Sequence, residues 1–286
     1  MAKVGIIGGS GLYQMEGIEN VQEVDIFDTP FGKPSDAYFS GQLNGTEVVF
    51  LSRHGRGHKY SPSDINYRAN IFGMKKLGVN AIISVSACGS LREEIKPMDF
   101  VVPDQLVDFT KGRKSTFFDN GLVAHVPFAD PISPEIARVL IEAAQEAGAR
   151  VHSRGTYITM EGPQFSTKAE SNLYRQWGID IIGMTNATEA KLAREAEISY
   201  ATLAAVTDYD CWHPDHDSVT VDMIIANLNQ NIANAKKILA VAIPKAGAIT
   251  EFSASNAMST SIITAKEKVS ELRKRELEVL VGKYFK

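Results

Sequence analysis

Short apolar runs recur along this chain, and each stops abruptly at glycine, a hydroxyl or a charge. Lys3–Ile7 stops at Gly8-Gly9-Ser10-Gly11, Glu47–Ser52 at Arg53-His54-Gly55-Arg56, and Ala81–Val85 at Ser86-Ala87-Cys88-Gly89-Ser90. Asp180–Gly183 stops at Met184-Thr185, and Tyr200–Val206 at Thr207-Asp208. Runs this short, rich in β-branched and small residues, read as buried strands. Gly155–Met160 and Phe100–Val102 are two more, the second limited by Pro103. Between them lie segments with apolar residues at helical spacing. These are Ile65–Leu77 with Ser63 or Asp64 as cap, Ser133–Ala147 closed by Gly148, Thr167–Trp177, Glu189–Ala196 and Val221–Ile243. Strands alternating with helices dictate an α/β fold, a sheet covered by helices on both faces.

No composition break divides the 286 residues, so residues 1–286 are expected to form one domain. Residues 250–264, rich in Ser, Thr and Ala, read as a loop. Ala265–Tyr284 reads as a charged helical tail that packs on the body or on a neighbouring subunit. A net charge of −4 leaves no basic excess to neutralise a phosphate backbone, which argues against a nucleic-acid binder. Arg273-Lys274-Arg275 is interleaved with Glu271, Glu276 and Glu278 and reads as a solvated helix face. No apolar run approaches the roughly 20 residues of a membrane span. Cys88 and Cys211 form neither a disulfide framework nor a metal-type spacing, so a reduced cytoplasmic protein without a metal is expected.

The strand ends share one chemical character. Hydroxyls, amides after glycine, one arginine and one histidine together make an anion site. Each piece has a plainer reading. Gly8-Gly9-Ser10-Gly11 serves as a tight turn, Arg53 as a surface ion pair, His125 as a satisfied structural histidine, and the cysteines as packed small residues. The glycine turn also invites a dinucleotide reading, with Asp25 or Asp28 as the downstream acid, but Gln14 stands where the third glycine belongs. In Thr207-Asp208-Tyr209-Asp210-Cys211-Trp212, two carboxylates follow a buried strand, where open α/β sheets put their ligands. An aspartate accepts hydrogen bonds from an exocyclic amine and, when protonated, donates to a ring nitrogen, which is the grip an aminopurine edge requires. The same two acids also suit a solvated turn.

Taken in order, these segments resemble the 5′-methylthioadenosine phosphorylases, within the trimeric class of purine nucleoside phosphorylases. The resemblance runs from Val4 to about Ala248. It is carried by Gly5-Ile6-Ile7-Gly8-Gly9-Ser10-Gly11, Ser52-Arg53-His54-Gly55, Ser86-Ala87-Cys88-Gly89-Ser90-Leu91-Arg92-Glu93-Glu94, Glu161-Gly162-Pro163-Gln164-Phe165-Ser166, Met184-Thr185 and the aspartate segment. It implies a nucleoside phosphorylase-like α/β fold of three layers, with a central mixed β-sheet flanked by helices. It further implies that Ser10, Arg53, His54, Ser86, Ala87 and Thr185 hold phosphate, that Met184 packs under the ribose, and that Phe165 faces the base. Asp208 and Asp210 take the purine N7 and 6-amino group, and the first assists catalysis by sharing a proton. Ile224 and Ile225 line an apolar 5′ pocket, to which His125 of a neighbouring subunit contributes. Ser166 and Val221 stand at positions that separate methylthioadenosine from other nucleosides.

The implied reaction is phosphorolysis of S-methyl-5′-thioadenosine to adenine and 5-methylthioribose 1-phosphate, by a cytoplasmic homotrimer without cofactor, inorganic phosphate being a co-substrate. The alternatives are a broader adenosine or 6-oxopurine nucleoside phosphorylase, a nicotinamide-dependent dehydrogenase, and a non-catalytic nucleoside binder. Ser10 and Ser86 depart from the threonine of many members. Asn186-Ala187-Thr188 is more polar than the family's stretch after Met-Thr, and the tail past about Thr250 lies beyond the resemblance.

Overall fold

The computed structural model describes residues 1–9, 12, 15–213 and 221–285, apart from the side chains of 221–226 and 228. Its strands are β1 (Val4–Gly8), β2 (Ile18–Val24), β3 (Tyr38–Leu43), β4 (Thr46–Ser52), β5 (Ala81–Ser90), β6 (Phe100–Val101), β7 (Gln105–Phe109), β8 (Val151–His152), β9 (Thr156–Met160), β10 (Ile181–Gly183) and β11 (Ser199–Asp208). The helices are α1 (Tyr67–Lys76), α2 (Pro134–Glu146), α3 (Lys168–Gln176), α4 (Asn186–Glu195), α5 (Val221–Gly247), α6 (Glu271–Glu276) and α7 (Glu278–Val281).

All eleven strands belong to one mixed sheet flanked by helices. Its centre is parallel. β1 lies between β4 and β5, and β11 pairs with the other edge of β5 from Ser199↔Ala81 to Asp208↔Gly89. Parallel strands covered on both faces read as continuous apolar runs, which is why these were legible in the sequence. The partner of β5 then changes. Its pairing with β1 ends at Ile7↔Ser84, and β10 takes over antiparallel at Ile182↔Gly89 and Ile181↔Ser90. Residues Val85–Cys88 lie between the two partners, and Ala87 there is the one exposed residue of an otherwise buried strand. This is a crevice of the kind in which α/β sheets hold ligands.

The sequence reading missed the strands at the rim. β2 is exposed along most of its length and carries Glu, Asn and Gln, so neither alternation nor an apolar run marks it. β3 and β4 form a hairpin through Asn44-Gly45, both at positive φ (48° and 77°), a turn signal that was there to be read. β1 leads into β2 and then antiparallel β3, with no helix between β1 and β2 among the described residues. The chain reaches β4, the parallel neighbour of β1, through strands β2 and β3 and not through the single crossover helix of a dinucleotide-binding unit, so the dehydrogenase reading falls.

Several helix ends differ from expectation. α1 is capped by Asn66, whose side chain accepts from Ala69 N, and not by Ser63 or Asp64. Ser61 and Glu161 engage those two residues elsewhere. Thr167 and Glu170 form a reciprocal capping box on α3. α4 begins at Asn186, earlier than Glu189, because Asn186–Thr188 are buried and continue its core face.

The C-terminal tail packs on the body as short helical pieces. Glu197 accepts from Met258 N and Tyr284 OH and pairs with Lys283. The expected solvated face at Arg273-Lys274-Arg275 is corrected at Arg273. That residue is 7% exposed, and its guanidinium donates to Phe117 O and Asp119.

Glu195, on α4, is buried where it accepts from Thr116 Oγ1 and Phe117 N, both at 2.7 Å. Burial pushes its carboxyl up to about 7 from the usual 4.5. The folded protein therefore keeps a proton that the unfolded chain releases, and stability falls as pH rises from about 4.5 to about 7. Removing this dependence, Glu195→Gln should gain on the wild type between pH 5 and pH 8, by on the order of 3 kcal/mol. Denaturant unfolding at the two pH values checks this; an unchanged difference would contradict it.

Candidate active site

Arg53 follows β4 directly, and its backbone N–H donates to Gly8 O at the end of β1. Its side chain turns inward and is 3% exposed. Nε and Nη2 clasp the two oxygens of Glu189, Nη2 also reaches Ser84 Oγ at 2.6 Å, and Nη1 donates to Val85 O at 3.1 Å. Burial opposes the guanidinium charge, and Glu189 beside it more than restores it. The plainer reading of Arg53, a surface ion pair, is set aside: the pair is buried and lies beside Val85 at the crevice. The second Nη1 hydrogen has no acceptor among the described residues.

His54 is half-buried. Its Nδ1 lies 2.9 Å from Tyr60 O, and its ring stacks on His58 at 4.1 Å. Burial, with the Arg53 charge as a lesser contribution, lowers its pKa to about 4. At neutral pH the ring is uncharged, Nδ1 donates to Tyr60 O, and Nε2 is left as an acceptor. Ser86 Oγ is buried without a hydrogen bond among the described residues. β10 pairs antiparallel with β5 at Ile181↔Ser90 and Ile182↔Gly89, and Met184 and Thr185 follow directly on its end at Gly183. Thr185 Oγ1 donates to Asn186 Oδ1 at 3.2 Å. Ser10 lies outside the described residues.

The aspartates stand at the open end of β11, where the register with β5 slips between Val206 and Asp208. Asn231 and Asn227 on α5 donate to Val206 O and Thr207 O at 2.9 and 2.7 Å and fix the backbone there. Asp208 accepts from Thr207 Oγ1 at 2.6 Å and from Asp210 N at 2.8 Å. Burial, aided by Asp210, raises its carboxyl above the ordinary aspartate range despite those bonds. Burial raises Asp210 as well, and its backbone adopts φ 51°. Cys211 Sγ donates to Ser166 O at 3.3 Å, tying the end of the Glu161–Ser166 loop to the aspartate segment, and Trp212 Nε1 donates to Ser90 O on β5 at 2.7 Å. Phe165 in that loop is half exposed, whereas Ser166 is buried with its hydroxyl on Met160 Sδ. Burial also keeps the Cys88 and Cys211 thiols protonated, as packed residues and not nucleophiles.

His125 is exposed, held by its backbone N–H on Ser261 O. Among the described residues, no recorded contact joins it to the aspartates of its own chain. Val221, Ile224 and Ile225 belong to the first turns of α5, but their side chains lie outside the described residues. Two participants escaped the sequence reading. Glu189 looked like any acid at a helix start. Arg113, in a basic loop, sends its guanidinium to Met184 O, Glu161 O and Tyr67 OH, and no local signal marked it.

A family model of the phosphorylase superfamily matches residues 3–244. The S-methyl-5'-thioadenosine phosphorylase of Koribacter versatilis (strain Ellin345) is 57% identical over 99% of this chain and 97% of its own length. That of Synechocystis sp. (strain PCC 6803 / GT-S) is 55% identical over 99% and 88%. Among solved structures, a methylthioadenosine phosphorylase sourced from an antarctic soil metagenomic library has a TM-score of 0.93 at 51% identity, covering 98% of both chains. The methylthioadenosine phosphorylase from Schistosoma mansoni in complex with adenine has a TM-score of 0.80 at 38% identity, covering 87% of this chain and 93% of its own. Fold, crevice and family model define the class, and the chain belongs to the phosphorylase superfamily. Within it, its family is that of the S-methyl-5'-thioadenosine phosphorylases.

The glycine in β5 beside the carboxyls is required by space. A Cβ on Gly89 would come within 2.9 Å of Asp208 Oδ1 and 3.4 Å of Asp210 Cβ. Gly89→Ala should therefore displace the Asp208 carboxylate, cutting turnover roughly tenfold or more while the fold persists. Steady-state kinetics beside circular dichroism checks this, and wild-type turnover would contradict it.

Proposed function

We infer that the protein splits S-methyl-5′-thioadenosine with inorganic phosphate, giving adenine and 5-methylthioribose 1-phosphate, as a pentosyltransferase. The observation that carries the reading is Asp208, a carboxyl held above its ordinary pKa by burial at the open end of a parallel strand, across the crevice from Arg53. Phosphate sits against the second Nη1 hydrogen of Arg53, the hydroxyls of Ser86, Thr185 and Ser10, and the backbone at His54 and Ala87. Supporting this are the burial of the Ser86 hydroxyl, which makes no regular hydrogen bond among the described residues, and the exposure of Ala87 in a buried strand.

Phosphate attacks the anomeric carbon from the face opposite the base. As the C–N bond loosens, the sugar becomes cationic, and the phosphate anion stabilises it most in the transition state. Negative charge gathers on the purine. Asp208 relieves it by sharing a proton at N7, and Asp210 takes the 6-amino group. Met184 packs under the ribose, and Phe165 covers the base. Ile224, Ile225, Ser166 and Val221 shape the 5′ side.

The reaction needs neither metal nor cofactor. His125, exposed on its own chain, completes a neighbouring subunit's site in a homotrimer. One domain spans residues 1–286 and works in the cytoplasm, in purine and methionine salvage. Among the described residues, no helix is long and apolar enough to cross a membrane.

Adenine release from methylthioadenosine should depend on phosphate and exceed release from adenosine and inosine. Faster release from inosine would overturn the aminopurine assignment. Asp208→Asn should lower kcat by about 10²–10⁴. Because the proton-bearing form is lost as pH rises through a raised pKa, wild-type kcat should fall on the alkaline side, and the variant should lack that limb. An unchanged pH profile in the variant would remove Asp208 as the acid.

A further inference from the structure

A single line of buried hydrogen bonds connects Thr185 with Arg53. Thr185 Oγ1 donates to Asn186 Oδ1, Asn186 Nδ2 to Thr202 Oγ1, Thr202 Oγ1 to Tyr200 OH at 3.3 Å, and Tyr200 OH to Glu189 Oε2 at 3.0 Å. Glu189 in turn clasps Arg53, and Ser84 Oγ donates to the same carboxylate oxygen at 3.0 Å. Every donor from Asn186 to Glu189 points the same way, toward the carboxylate, while the one hydrogen of Thr185 serves either Asn186 Oδ1 or a bound anion. None of the residues on this line is more than 5% exposed. Asn186, Thr202, Tyr200 and Glu189 are 0 to 2% exposed, and so act on a bound molecule only through the residues at the two ends.

Stability alone is a poor reason for such an arrangement. A buried ion pair is often no more stabilising than well-packed apolar residues of the same volume. A continuous buried polar network does something apolar packing does not: it favours few orientations, because rotating a member breaks its hydrogen bonds and strands a buried donor or acceptor. The line also ties together residues from separate elements. Arg53 follows β4, Thr185 precedes α4, and Tyr200 and Thr202 lie on β11.

We propose that Glu189, Tyr200, Thr202 and Asn186 are positioning residues that hold Arg53 and Thr185 at one set spacing for the phosphate co-substrate. The buried polar residue that opens α4, Asn186, thereby has a use. This inference rests on the reading of Arg53 and Thr185 as phosphate ligands.

Tyr200→Phe and Thr202→Val each delete one buried hydroxyl from the line and change no charge. With phosphate as the varied substrate, each should raise the phosphate KM roughly three- to tenfold while the methylthioadenosine KM stays within about twofold. Thr185→Ala, run alongside, should raise the phosphate KM as well. If Thr185→Ala raises it but the two buried variants shift only the melting temperature, the positioning role is overturned and the phosphate site stands. If Thr185→Ala leaves the phosphate KM unchanged, the site reading fails and the positioning role fails with it.

Discussion

The molecule is organised around one strand that changes neighbours. β5 is paired with β1 as far as Ser84 and with β10 from Gly89, while β11 runs along its other edge throughout. Four residues between the two partners are left facing a gap. The sheet cannot close that gap, because β1 ends in glycines and β10 arrives from the opposite direction. Arg53, Ser86, Ala87, Thr185 and Asp208 gather there because their strands end or turn at this place. The crevice is a consequence of strand pairing, and the loops only complete it.

Two acid groups at this centre meet opposite electrostatic surroundings. Glu189 is buried against a guanidinium and is satisfied from four sides, by Arg53, Ser84 and Tyr200. Asp208 and Asp210 are buried beside each other, with no cation in contact among the described residues. A paired carboxylate becomes a fixed strut, whereas an unpaired one in a dry place holds its proton more tightly. The same side-chain chemistry thus forms a buried ion pair at one end of the crevice and has a raised proton affinity at the other. Both depend on depth, since exposed acids would have been screened and mobile.

Much of this was legible in the residues. The central strands announced themselves because burial on both faces demands unbroken apolar runs, and their ends were visible as abrupt changes to glycine, hydroxyl or charge. The rim strands were not, since β2 is mostly solvent-facing and lacks any apolar pattern. Arg273 was misread for a related reason. Its neighbours in sequence are charged and exposed, but its own position on a short helix turns it inward to Phe117 and Asp119, which lie far away in sequence. Glu189 and Arg113 were missed because their partners come from other elements, and nothing local distinguishes a strut from a solvated charge.

The sequence by itself determined the α/β class, the order of the central elements and the chemistry offered at each strand end. Those follow from local periodicity and residue type, which are properties of short segments. Only the tertiary structure decided that Arg53 turns inward to Glu189, that Ala87 is the exposed point of a buried strand, and that Thr185 and Arg53 share one hydrogen-bonded line. These depend on strand register and on which distant groups meet in a low-dielectric interior, where every buried donor, acceptor and charge must find its partner across the fold.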